Sequence, residues 1–252
     1  MDKQNRLEFN FMSMEKEWMQ RTEILFGHDS MESLRCANVL VAGVGGVGAY
    51  AAEMLCRAGI GNMTIVDSDD VSVTNINRQL PALHSTVGRS KVEVMAGRLR
   101  DINPEISALH EYITDENVGE FVGACNFDFI VDAIDTIAPK LGLIAYALNN
   151  SISMISSMGA GAKTDISQIQ YADIWKTFNC GLSKAVRTGM KKRGLQGHRL
   201  PVVFCSQAPN MDAVRRINET NKKSTAGTVS YMTATFGNYL AAYVIRHLTN
   251  KL

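Results

Sequence analysis

Residues 39–69 read VLVAGVGGVGAYAAEMLCRAGIGNMTIVDSD. Val39 to Ala42 is a short apolar run, the pattern of a strand buried on both faces. Gly43, Gly45, Gly46 and Gly48 follow, and three of them satisfy GxGxxG. Glycine there permits a tight turn and lets backbone approach a phosphate closely. Val47, Ala51, Leu55 and Ala58 recur at helical spacing, so a helix starts inside the glycine run. Its unsatisfied N–H groups and positive dipole end face an anion. Gly59 and Gly61 end that helix, and Met63 to Val66 form the next strand. Asp67 closes it, about twenty residues past the last glycine, where a carboxylate binds ribose hydroxyls. Strand, glycine turn, helix, strand and acid in that order predict an adenine nucleotide site. The pattern does not specify which nucleotide.

A chain of 252 residues with 46% apolar and 20% charged residues has the makeup of a soluble globular protein of one large domain, or one domain with an appendage. Its five cysteines, Cys36, Cys56, Cys125, Cys180 and Cys205, form no CxxC pair, which argues against a disulfide framework and a four-cysteine zinc site. The opening MDKQNRLEFNFMSMEKEW lacks the apolar core of a secretory signal. No run reaches the roughly 18 apolar residues of a membrane span. Together these predict a cytoplasmic protein.

Residues 1–34 read as an N-terminal arm with one or two short helices, and residues 35–252 as the nucleotide-binding domain. Phe9, Phe11, Met12, Trp18 and Met19 make the arm apolar enough to pack on the main body or on a second subunit. By spacing alone Arg21 is a surface arginine. After Asp67, the turn-rich DSDDVSVTNINRQL carries Asp69, Asn75, Asn77 and Arg78 out of a strand's C-terminal end, where open α/β sheets bind ligands. A helix follows with Val92, Met95, Ala96 and Leu99 on one face. Lys91 in its first turn opposes the dipole preference, so it is either solvated or holds an anion; the pattern leaves both open. Ile106 to Ile113 predicts a third strand, Asp115 to Val122 a short helix, and Phe127 to Thr136 a fourth strand ending in Asp132 and Asp135. An acid at such an exit faces the crevice, and Asp135 suits magnesium or caps the next helix, Lys140 to Asn149. Ser153 to Met158 and Ile166 to Ile174 read as further strands, and Ser230 to His247 as a closing helix. The alternation predicts a doubly wound, mostly parallel, Rossmann-like sheet with flanking helices. Residues 180–225 carry ten basic against two acidic residues, a surplus of eight in a chain whose net charge is +1. Broken by Gly189, Gly194, Gly197, Pro201 and Pro209, this stretch reads as a basic, flexible crossover segment and a polyanion surface, with Val202 to Ser206 as a strand inside it.

GVGGVG, IVDSDDVSVTNINRQ, VGRSKVEVM and DAIDT, in this order and spacing, resemble the ubiquitin-activating-enzyme-like adenylyltransferases, the ThiF/MoeB superfamily. The resemblance runs from about Arg21 to Leu248. It implies that the nucleotide is ATP, that magnesium accompanies it, and that a carboxylate is activated by attack on the α-phosphate. It also implies roles: the glycine turn under the phosphates, Asp67 on ribose, Asn77 and Arg78 at the phosphates, Lys91 on the transition state, Asp135 on magnesium. Arg21, in RTEILFG, resembles the arginine that reaches the ATP of the neighbouring subunit in family homodimers. VTNINRQLPALHSTVGRSKVEVMAGRLRDINPE, DAIDTIAPKLGLIAYALNN, GAGAKTDISQIQ and TVSYMTATFG are most similar to the branch that dehydrates threonylcarbamoyladenosine in tRNA. The segment 180–225 departs from that branch, which bears on the tRNA contacts and not on the ATP site.

Three rival readings share parts of this pattern. A carrier-protein activator, which adenylates a diglycine tail within a sulfur relay, would use Cys180 or Cys205; the absent zinc pairs and the basic segment count against it. An NAD-dependent oxidoreductase would use the glycine turn and Asp67 but leaves Arg78, Lys91 and Asp135 without a task. A non-catalytic scaffold conflicts with the intact set of motif residues.

Overall fold

In β1 (Asn38–Ala42) the pleat sends Val39 and Val41 into one core and Leu40 and Ala42 into another, all wholly buried. That two-sided burial makes β1 central, as a continuous apolar run requires. Its partners are β2 (Asn62–Val66) and β4 (Phe129–Asp132), both parallel to it, with Val41 opposite Ile65 on one side and Val131 on the other. The computed structural model describes residues 17–219 and 222–251, so Phe9, Phe11 and Met12 lie outside the described residues. β3 (Ile106–Leu109), β5 (Met154–Ser157), β6 (Ile169–Asp173) and β7 (Pro201–Cys205) complete a seven-stranded sheet in the order β3-β2-β1-β4-β5-β7-β6. Only β6, at the edge, runs antiparallel. A hairpin of β8 (Val214–Glu219) and β9 (Lys222–Ala226) stands apart.

Helices cover both faces. On one lie α2 (His28–Cys36), α3 (Gly48–Arg57), α4 (Lys91–Arg100) and α8 (Ser230–Leu248), burying Leu34, Leu55, Met95, Leu99, Phe236 and Leu240. On the other lie α5 (Val118–Ala124), α6 (Ile137–Asn149) and α7 (Gly181–Lys192), burying Val122, Ile144, Val186 and Met190. α8 crosses the start of α3 so closely that a Cβ on Gly237 would stand 2.5 Å from the Val47 carbonyl oxygen. A short α1 (Gln20–Phe26) precedes α2. The fold is therefore the doubly wound, mostly parallel α/β class that the alternation predicts. Some boundaries move by a few residues: β3 stops at Leu109, α5 begins at Val118 rather than Asp115, and α6 begins at Ile137 rather than Lys140.

The segment 180–225 differs from the loop-rich flap that its glycines predict. Residues 181–192 form a helix rather than a loop, whereas the strand expected at Val202 to Ser206 is present as β7, threaded into the sheet with Val202, Val203 and Cys205 wholly buried. Gly189 marks a close crossing, since a Cβ there would meet Leu141 Cδ1 at 2.2 Å. Two of the basic residues are tied down. Arg187 donates to the carbonyls of Ile174 and Thr177, and Arg193 forms a two-pronged pair with Asp115, which holds that carboxyl below its usual range.

α3 and α4 are joined by Glu53, buried at 4% exposure, which accepts from Arg57 Nε at 2.8 Å and from Arg98 Nε at 2.8 Å and Nη2 at 3.1 Å. Burial alone would raise its pKa, but the two guanidiniums outweigh it and the value lies below the ordinary 4.5. A lowered folded pKa means the stabilisation is complete above 4.5 and is lost as pH falls through the folded value. Glu53→Gln should therefore cost about 1–3 kcal/mol at pH 7. Its urea-unfolding free energy should also fall less than the wild type's on acidification.

Candidate functional site

Along the sheet the chain winds outward from β1 through β2 and β3 in one direction and from β4 in the other. The C-terminal ends of β1 and β4 are thus a topological switch point, where open α/β sheets bind ligands. Gly43 leaves β1 with φ of +87°, and a Cβ there would stand 2.9 Å from the Ala133 carbonyl oxygen. A Cβ on Gly48 would meet the Gly43 carbonyl oxygen at 1.8 Å, so the turn closes only with glycine at both places. Between them the N–H groups of Gly45, Gly46 and Val47 have no backbone acceptor among the described residues. They sit at the start of α3, which makes an anion cradle.

Asp67 ends β2 beside this turn. Its carboxylate accepts the Val44 N–H at 2.8 Å and the Asp69 N–H at 2.9 Å, which ties the turn to the acid. Burial pushes its carboxyl pKa up, opposed by the charge of Lys91 and by those two N–H groups. Lys91, in the first turn of α4, has a side chain only 5% exposed and reaches Asp69 Oδ2 at 2.7 Å. Its ammonium is therefore held by a carboxylate that is itself 67% exposed. Asn75 closes a turn by accepting the Ser72 N–H at 3.1 Å. Asn77 donates to the Thr228 carbonyl at 3.2 Å and accepts from Arg78 Nη1 at 2.9 Å. Arg78 also donates to the Thr74 carbonyl at 3.0 Å, and its Cγ is 3.3 Å from where a Cβ of Gly46 would stand. So the glycine turn, Asp67, Asp69, Lys91, Asn75, Asn77 and Arg78 gather on one edge of the sheet.

The two acids at the exit of β4 part ways. Asp135 is exposed in the loop to α6, where Thr136, not Asp135, stands at the N-cap. Asp132, expected to face the crevice, is wholly buried. Its Oδ2 accepts Ser156 Oγ at 2.6 Å and pairs with Lys140 Nζ at 2.8 Å, and its Oδ1 accepts the Ile134 N–H at 3.1 Å. Lys140, also wholly buried, donates to the Ile134 carbonyl at 2.9 Å. Both backbone groups of the residue before Asp135 are thus fixed by this buried pair. A lone lysine in the apolar run IAPKLGLIAYAL was the available signal for it. An exposed carboxylate beside an anion cradle fits magnesium, which takes few protein oxygens alongside phosphate and water.

Arg21 stands apart. It is exposed on α1, and the neighbouring Met19 packs its Cε 2.4 Å from the Cβ position of Gly59. Gly59 lies between α3 and the start of β2, at the sheet end opposite the crevice.

A doubly wound sheet with a glycine-lined anion cradle and an acid at its switch point defines a nucleotide-binding α/β protein. The chain belongs to the ThiF family, whose model matches residues 19–251. It is 36% identical to the tRNA threonylcarbamoyladenosine dehydratase of Escherichia coli K12 over 258 residues, covering 93% of this chain and 95% of the relative. It is 44% identical to the Bacillus subtilis protein of the same name over 191 residues, covering 75% of this chain and 74% of the relative. The crystal structure of the E. coli dehydratase in complex with ATP superposes with a TM-score of 0.85 at 34% identity, covering 94% of this chain and 95% of that one.

Removing one partner of a buried pair leaves an uncompensated charge. Lys140→Met should destabilise the fold by about 3–5 kcal/mol in urea titration. Combined with Asp132→Leu it should be less destabilised than alone, since no charge is then left unpaired.

Proposed function

We propose that this protein uses ATP to cyclise, by loss of water, the threonylcarbamoyl side chain of a modified adenosine in tRNA. The observation that carries the reading is the end-to-end similarity to dehydratases of that name, on a chain whose crevice gathers the nucleotide-site motifs. A carboxylate resists attack because it is negative and oxide is a poor leaving group. In the proposed reaction a carboxylate oxygen attacks the α-phosphorus, the bond to pyrophosphate breaks, and an acyl-adenylate forms. The side chain's own nitrogen then attacks the acyl carbon, loses its proton, and AMP leaves with the oxygen. Ring closure is intramolecular, so effective molarity replaces a protein nucleophile.

Each residue's assigned task follows from where charge develops. The glycine turn Gly43–Gly48 cradles the phosphates through the N–H groups of Gly45, Gly46 and Val47, and Asp67 holds the ribose. Arg78 and Lys91 answer the charge building on the α-phosphate and pyrophosphate. Both are already engaged by Asn77 and Asp69, so incoming phosphates exchange these partners rather than desolvate bare cations. Asn75 shapes the loop that carries Asn77 and Arg78. Magnesium, held by Asp135, would neutralise phosphate charge. The exposed basic residues Lys184, Lys191 and Lys192 on α7 offer a face for the tRNA backbone.

We assign the working form to a homodimer acting in the cytoplasm. α1 leaves Ile24 80% and Leu25 76% exposed, an apolar pair beside Arg21, and turns away from its own crevice. A second copy covering that pair would present Arg21 to the neighbour's ATP. A sulfur-relay protein is a candidate partner under this reading as well as under the carrier-protein alternative.

Mass spectrometry of threonylcarbamoylated tRNA incubated with protein and ATP should show the modified adenosine lighter by one water. Unchanged tRNA, with pyrophosphate released on a carrier protein instead, would favour the alternative. Arg21→Ala and Asp135→Ala should each abolish turnover while keeping the fold. Mixed and re-equilibrated, they should regain activity, because one site of the heterodimer escapes both lesions; no recovery would rule out an arginine acting across subunits.

A further inference from the structure

Four buried side-chain polar atoms lack a hydrogen-bond partner among the described residues, and three of them border the crevice. They are Gln79 Oε1, Ser90 Oγ at the N-cap of α4 beside Lys91, and Thr228 Oγ1, whose residue's carbonyl takes Asn77. Buried polar groups are almost always paired, so each such atom asks for an explanation. Gln79 is the most informative. It follows Arg78 directly, is only 8% exposed, and none of the motif roles above involves it. Its backbone is fixed by its N–H to the Asn75 carbonyl at 2.9 Å and by its carbonyl accepting from Ala82 at 3.0 Å.

The side chain lies against the glycine turn. From the place a Cβ of Gly45 would occupy, Gln79 Nε2 is 3.6 Å away and Cδ 3.8 Å. Arg78 takes the corresponding place at Gly46. Consecutive side chains thus flank consecutive glycines whose N–H groups have no backbone acceptor. Oε1 is buried with no hydrogen-bond partner among the described residues, while Nε2 is the end that faces Gly45. Exchanging the two ends of the amide only converts a missing donor into a missing acceptor. Burying an amide without partners costs free energy that an apolar side chain of the same size would not.

We propose that Gln79 is a nucleotide-contacting residue, its amide donating to a phosphate oxygen held over Gly45. The proposal deepens the ATP reading above and rests on it. A neutral donor there completes the cradle that Arg78 begins, holding the phosphate in register without adding charge, so its contribution appears in phosphate affinity and not in adenosine affinity.

Calorimetric titration of Gln79→Met and Gln79→Glu with ATP and with adenosine, beside urea unfolding of the ligand-free proteins, tests this. Gln79→Met keeps the volume and removes the unpaired amide. It should unfold at a urea midpoint equal to or above the wild type's, yet bind ATP about 10- to 100-fold more weakly. Adenosine affinity should be unchanged. Gln79→Glu, which sets a carboxylate against the phosphate, should weaken ATP binding further. ATP affinity within twofold of wild type in Gln79→Met would overturn the proposal. So would equal losses for ATP and adenosine together with a lowered urea midpoint, the signature of a packing role. Wild-type protein without ATP affinity would instead bring down the ATP reading itself.

Discussion

The exits of β1 and β4 approach each other so closely that no side chain fits between them. Gly43 faces the Ala133 carbonyl, and Gly48 folds back onto the Gly43 carbonyl at a distance that even one methyl would violate. This contact brings a row of unsatisfied N–H groups within reach of the Asp135 loop. It also joins two levers on either side. Asp67 grips the turn through the Val44 N–H, and the buried Asp132–Lys140 pair grips the loop through both backbone groups of Ile134. Such a pair adds little net stability, because desolvation offsets much of its Coulomb energy. Fixing both backbone groups of one short peptide is a task that an apolar pair of the same volume could not perform.

Charge in the crevice is arranged for exchange. Lys91 would be costly to bury alone, and Asp69 compensates it from the solvent side. Arg78 rests on a carbonyl and an amide oxygen, partners weaker than a phosphate. In the proposed function a polyphosphate would take the place of these partners. Burial raises the pKa of Asp67, and its compensating partners oppose that rise. Its burial is tolerated because two N–H groups and the field of Lys91 support the charged form.

Away from the crevice, the positive charge of residues 180–225 divides by task. Arg187 and Arg193 hold the middle of α7 to Ile174 and Thr177 and its end to Asp115, so they serve the fold. The lysines of α7 stay in solvent. α7 itself is amphipathic, with Val186 and Met190 buried beneath the charged face.

Much of this was legible in order along the chain. Apolar runs, the glycine spacing and the acid after β2 are local patterns, and local patterns dictate strand, turn and helix because backbone sterics and the pleat act over a few residues. The sheet class and the crevice edge followed from them. What remained hidden depends on contacts distant in sequence. Gly189 looked like a loop former until Leu141, from another helix, filled the space a side chain would need. Asp132 looked like a crevice-facing acid until Lys140 and Ser156 closed around it, and Gln79 carried no local signal at all. Whether a charged or polar side chain faces solvent, a partner or a ligand is set by its surroundings in three dimensions, and only the packed sheet and helices decide that.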